Sequence, residues 1–337
     1  MLPSSRVLPP TQFAPAAGSV GAFLFWGASD FAGGYGSRRA NAFTLTAFSH
    51  LCAFALMFGL ALAHGGAFPS RSSILWALVA GSVGGFSLAL FYRALASGQM
   101  GLIAPIAALM GAAIPALADI AMEGAPRRWT VVGFVLAIVA IWLITRPEPE
   151  PASGLRSPAS ASGGMDVASE TRGQNEEGGT RHPEAKGRKA EAGSRTAEAE
   201  SRRPKGVALA ALAGVGFAGF YLCIHQAHGS ATWLAAVSRI GSFTATALAV
   251  IATRAPLTLD RPRAALGMLA GFLDISASAL FIFANQRGRL DEAVVITSLY
   301  PAVTVLLARL VLKEHFSRWR FVGLLAALAA VPLIAAG

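Results

Sequence analysis

At 337 residues, with 54% apolar side chains, only 14% charged ones and a formal net charge of +10, the chain is too poor in charge to be a soluble domain. Soluble domains carry about a quarter charged residues, and a water-solvated core could not hide so much apolar surface. The basic excess lies in short loops, as in chains that touch anionic lipid headgroups, and is no argument for nucleic acid.

Taken in chain order, ten apolar stretches are long enough to cross a bilayer: 15–36, 41–64, 73–96, 100–121, 129–146, 206–226, 231–253, 264–286, 292–312 and 319–336. About 20 residues at a rise of 1.5 Å span a hydrocarbon core. In lipid each backbone amide must be bonded within its own segment, so the spans are predicted to be helices and the chain an all-α integral membrane protein. The opening residues carry one charge, Arg6, and are interrupted by Pro3, Pro9, Pro10 and Pro15. A cleaved signal would need an apolar core and a small-residue cleavage site, so the first span is expected to remain. Cys52 and Cys223 fall inside spans and read as core filler rather than as a disulfide.

Residues 147–205 are of another kind. They run from a Pro-Glu-Pro-Glu-Pro start through Ser, Gly, Ala, Glu and Arg, with ten acidic and ten basic residues and no aromatic one. Such a segment cannot bury enough apolar surface to offset chain entropy, and a disordered linker is expected.

On either side of the linker the same passage is written twice. With an offset of 190 and no gap, Phe91, Ala94, Gly98, Ile106, Leu109, Arg128, Trp129, Gly133 and Ala137 each meet an identical residue in 281–334. The chain is therefore duplicated, with residues 1–146 as one five-helix repeat and 206–337 as the other. Because five is odd, the second copy must enter the membrane upside down. Two inverted repeats around a central site are the architecture of secondary transporters.

The residues also carry a family resemblance. The first copy reads Phe91-Tyr-Arg-Ala-Leu-Ala-Ser-Gly98, then Ile103-Ala-Pro-Ile106, Glu123 and Gly133. The second reads Ala293-Val-Val-Ile-Thr-Ser-Leu-Tyr-Pro-Ala-Val-Thr-Val305, then Lys313-Glu314 and Gly323, and Trp26-Gly27 opens the first span. This resembles the EamA-type branch of the drug/metabolite transporter superfamily over both halves. The resemblance implies ten helices around a central cavity, the fifth and tenth peripheral, moving small organic solutes without ATP. The long linker and the acids placed inside spans depart from the family pattern.

Ionisable residues deep in spans usually face a cavity or a partner, because central charges cost about 2.5 kcal/mol or more to insert. Asp30 shares a helical face with Trp26, Ser29 and Gly33, and reads either as a proton- or cation-binding carboxylate or as one satisfied by a neighbouring helix. Asp274 stands among apolar neighbours, and Arg239 is suited to an anionic group or to snorkelling. Asp119 corresponds to Arg309 under the repeat, which suggests an interhelix pair or a gate. His225, like His50, is either a neutral core histidine or a relay. Pro105 and Pro301 lie at helix breaks or packing kinks, and Tyr92 and Tyr300, one in each copy, are further candidates for binding solute or proton.

No metal site is expected, since no His, Cys or carboxylate pairs have ligand spacing. No cofactor is expected either. Gly214-Val-Gly216-Phe-Ala-Gly219 mimics a dinucleotide fingerprint without the strand it requires, and no Walker run is present. An intramembrane enzyme would need a catalytic motif that the chain lacks, and a scaffold would need no buried acids. A secondary transporter for a small metabolite or drug-like solute fits best, with a flippase for a lipid-linked carrier as the alternative. Its expected partners are the solute and membrane lipids, as a monomer or a homodimer in a bacterial inner membrane. Loop arginines favour a cytoplasmic linker, whereas the resemblance implies cytoplasmic termini.

Overall fold

The structure, a computed structural model, describes residues 13–96, 100–144, 206–312 and 318–335. The expected linker 147–205 lies outside the described residues. Within them the chain is helical, with no strand: α1 Ala14–Ser37, α2 Ala42–His64, α3 Arg71–Leu95, α4 Met100–Glu123, α5 Arg128–Ile144, α6 Gly206–His225, α7 Ala231–Ala252, α8 Arg261–Asn285, α9 Leu290–Thr297, α10 Tyr300–Leu312 and α11 Arg318–Ala335. Among the described residues seven segments are long and apolar enough to cross a membrane, the last being Leu290–Val311, which α9 and α10 share.

The helix starts follow from local chemistry. Asn41 accepts the amides of Phe43 and Thr44 at 3.0 and 3.3 Å, Ser70 accepts Ser73 at 3.2 Å, and Asp260 accepts Arg263 at 3.2 Å. Each cap satisfies amides that the first helical turn leaves without an intrahelical partner. Gly65 closes α2 at φ 61°, a left-handed position that glycine takes without strain.

The expected apolar stretches are helical over their described residues, and the ninth comes in two pieces. Ser298 and Leu299 form the break, and Pro301 is the second residue of α10, where a missing N–H costs little. Pro105 makes no such break, because α4 runs through it.

The two copies pack into each other instead of forming separate cores. α1 lies on α8, α3 on α7, α2 against both α7 and α8, α4 on α9, and α5 on α11. Small residues permit the closest crossings: a Cβ on Gly81 would meet the Ser238 carbonyl, and one on Gly271 would meet the Ser49 carbonyl. These two glycines are separated by the repeat offset of 190 and serve equivalent crossings, α3 on α7 and α8 on α2. Leu62, Leu75, Trp142, Leu248 and Ile251 point outward and exposed, an apolar coat that suits lipid and not water.

Candidate solute-binding cavity

Between these helices lies a partly open cavity. Its walls come from both copies: Trp26 and Asp30 of α1, His50 of α2, Gly84, Gly85 and Leu88 of α3, Phe217, Phe220 and Tyr221 of α6, and Arg239, Asp274 and Tyr300 from α7, α8 and α10. Aromatic rings form much of the wall. Trp26 meets Tyr221 and Phe281 at centroid distances of 5.9 and 5.6 Å, and Tyr221 meets Phe281 at 4.9 Å.

The polar groups divide into a satisfied set and an unsatisfied one. Arg239 and Asp274 form a buried ion pair. Trp26 donates its indole N–H to Asp274 Oδ1 at 3.0 Å, and Arg239 Nη2 donates to Ser278 Oγ at 2.9 Å. Ser278 in turn donates to the Asp274 carbonyl one turn back, at 2.9 Å. Arg239 Nη1 also lies 3.3 Å from His50 Nδ1. A guanidinium only donates, so Nδ1 must accept and the ring proton sits on Nε2.

Three groups remain without partners. Asp30 is 5% exposed and faces the cavity, yet among the described residues no hydrogen bond or ion pair reaches its carboxylate. Arg239 Nε and His50 Nε2 are buried donors with no hydrogen-bond partner, although the Gly85 backbone is close enough to act on the imidazole. Buried polar groups are normally paired, and unpaired ones on a cavity wall are places where a ligand can bind.

The face expected on α1 is divided. Trp26 and Asp30 reach the cavity, whereas Ser29 turns away, donating to the Ala270 carbonyl at 2.9 Å and sitting 3.2 Å from the Tyr92 hydroxyl. Gly33 lies under the Tyr92 ring, leaving no room for a Cβ. Tyr92 is thus fully buried packing behind the wall, and Tyr300 is part of the wall. Pro301 is buried at the α9–α10 break.

Asp119 and His225 lie elsewhere, in a second polar cluster where α4, α6 and α9 meet. Asp119 accepts the Asp291 amide at 3.0 Å and lies 3.8 Å from Arg289, and Arg289 lies 3.6 Å from Glu123. Arg289 holds Asp291 with two contacts of 3.0 Å, which push its guanidinium pKa further up. The mate suggested for Asp119, Arg309, is exposed on α10, and Arg289 takes that place because α9 begins beside the end of α4. His225 Nδ1 is 2.8 Å from Asn285 Oδ1. Ligand atoms of Asp119, Glu123 and His225 come within 4.8 Å of one another, a proximity across two helices that sequence spacing does not reveal.

Ser278 and Tyr221 are wall or network residues that the sequence did not single out, and His50, read there as a core histidine or a relay, lines the wall. Ser278 stands one turn after Asp274 and was open to inference from that spacing. Tyr221 was hidden among other aromatic residues in apolar helices.

A coat of apolar side chains and helices of membrane length define an integral membrane protein, and a polar cavity lies inside it. The EamA-like transporter family matches the chain twice, over residues 16–146 and 204–336, and the chain belongs to that family. A solved structure entitled "Crystal structure of protein" is similar in fold, with a TM-score of 0.62 and 15% identity over 95% of each chain. No curated protein matches the sequence.

Proposed function

We propose that the protein is a secondary transporter that carries a small organic solute through the central cavity by alternating access, driven by a gradient. Ten membrane spans in two inverted five-helix repeats are the architecture of this reading, with α9 and α10 acting as one broken span. The helix pairing supports it: α1 on α8 and α3 on α7 join opposite copies, and repeat-related glycines serve equivalent crossings. The observation that carries the reading is the unpartnered carboxylate of Asp30 on the wall of a cavity built from both copies. A carboxylate held there without a partner is costly unless it serves a proton or a cation.

In this mechanism Asp30 takes up and releases the driving ion. The Arg239–Asp274 pair fixes α7 against α8, and the α9–α10 break gives the chain a place to bend. Reconstituted protein should show saturable, gradient-dependent flux of a solute from a metabolite panel. Flux no greater than in protein-free liposomes, for every solute tested, would remove the proposal.

A further inference from the structure

We infer that the solute is an organic cation, an amine with a single positive charge and an apolar or aromatic body, which displaces a proton from Asp30. This inference rests on the transport reading and adds the substrate class.

Charge balance around the cavity decides the sign. Arg239 is matched by Asp274, in contact with it. His50 accepts from Arg239 through Nδ1 and is a neutral ring. Of the other groups facing Asp30, Tyr92 on α3, Tyr221 on α6 and Tyr300 on α10 are phenols and bring no positive charge. α9 and α11 also touch α1, and they carry their described charges at their starts, in Asp291, Glu292 and Arg318. Asp30 is therefore the one cavity carboxylate without a compensating cation among the described residues.

The walls agree with that sign. Trp26, Phe217, Phe220, Tyr221 and Tyr300 surround the space, and aromatic faces attract cations through their quadrupole. An anion would meet these faces and Asp30 together, and a zwitterion's carboxylate would need a second cation that Arg239 has already committed to Asp274. Arg239 Nε, a buried donor with no partner, suits a neutral acceptor on the solute.

One carboxylate cannot hold a proton and an ammonium group at once. Binding an amine to protonated Asp30 therefore releases that proton, and opening to either side exchanges one cation for the other. Below the pKa of Asp30 the apparent dissociation constant should rise about tenfold for each unit that the pH falls.

The test uses the full-length protein in detergent micelles and three compounds that share one phenyl ring: phenethylamine, phenylalanine and phenylpropionate. Titration calorimetry in buffers of different ionisation enthalpy reads affinity and proton release together. We expect the amine to bind at least about tenfold more tightly than the zwitterion or the anion, with release approaching one proton per site at low pH. Asp30→Asn should abolish the release and weaken the amine by about tenfold or more. Asp30→Glu should keep the release, which preserves the test if the Asn variant elutes as aggregate. Equal binding of the anion or the zwitterion, amine binding without proton release, or no amine binding would each overturn the inference. Gradient-driven flux of a non-cationic solute would then leave the transport reading in place, whereas absence of flux for every solute would remove both.

Discussion

At the scale of single residues, the cavity sets one satisfied charge pair beside one unsatisfied charge. Removing one member of a buried, hydrogen-bonded ion pair leaves the other uncompensated, at a cost of about 3–5 kcal/mol. Arg239→Ala should therefore lower the thermal midpoint of the purified protein markedly, while Arg239→Met with Asp274→Leu should recover much of the loss. A double variant as unstable as the sum of its singles would show that the two side chains act independently. Asp30 predicts the opposite sign. Because nothing among the described residues pairs with its carboxylate, Asp30→Asn should unfold at the same temperature or a higher one, yet lose gradient-driven uptake. A large fall in its melting temperature would assign the carboxylate a structural partner. The sequence marked Asp30, Arg239 and Asp274 because charges are rare in apolar spans. It did not reveal that Arg239 meets Asp274 and His50, since helix rotation, not spacing, brings α2, α7 and α8 to one point.

At the scale of helices, the break between α9 and α10 and the glycine crossings carry the argument. Thr304 donates to the Gly27 carbonyl at 3.0 Å and to that of Tyr300 at 3.2 Å, which ties the start of α10 to α1 one turn from Asp30. Pro301→Ala should restore an N–H to this region, leave the melting temperature unchanged or raised, and slow transport by stiffening the break. Faster transport in that variant would argue that the break has no part in the cycle. Gly81→Leu should fail to yield folded protein, because its side chain would meet the Ser238 backbone and not a movable side-chain end. Helix positions were legible in the sequence to within about three residues, because a bilayer-length apolar run has few alternatives. The choice between Pro105 and Pro301 was not. Both prolines look alike in sequence, and their difference lies in whether the residues just before them continue the helix.

At the scale of the whole molecule, the duplication is symmetric in packing and asymmetric in charge. Under the offset of 190, Asp274 corresponds to Gly84 and Asp30 to Phe220, and all four line the same cavity. A duplicated framework in which Asp30 and Asp274 each face an uncharged residue at the equivalent position has room for an ion and an apolar body together. The sequence disclosed the framework, since identities survive between the copies. A central cavity was expected from the repeat and the resemblance, but its full lining was not legible, because neither copy alone contains its walls. That mutual packing implies that residues 1–146 and 206–337, expressed separately, should each be unstable and should regain activity when expressed together. The most direct test of the account is solute flux in liposomes reconstituted with the purified protein under an imposed pH gradient. The account predicts saturable uptake that follows the gradient and disappears in Asp30→Asn, whereas equal uptake by wild type and Asp30→Asn, or none by either, would contradict it.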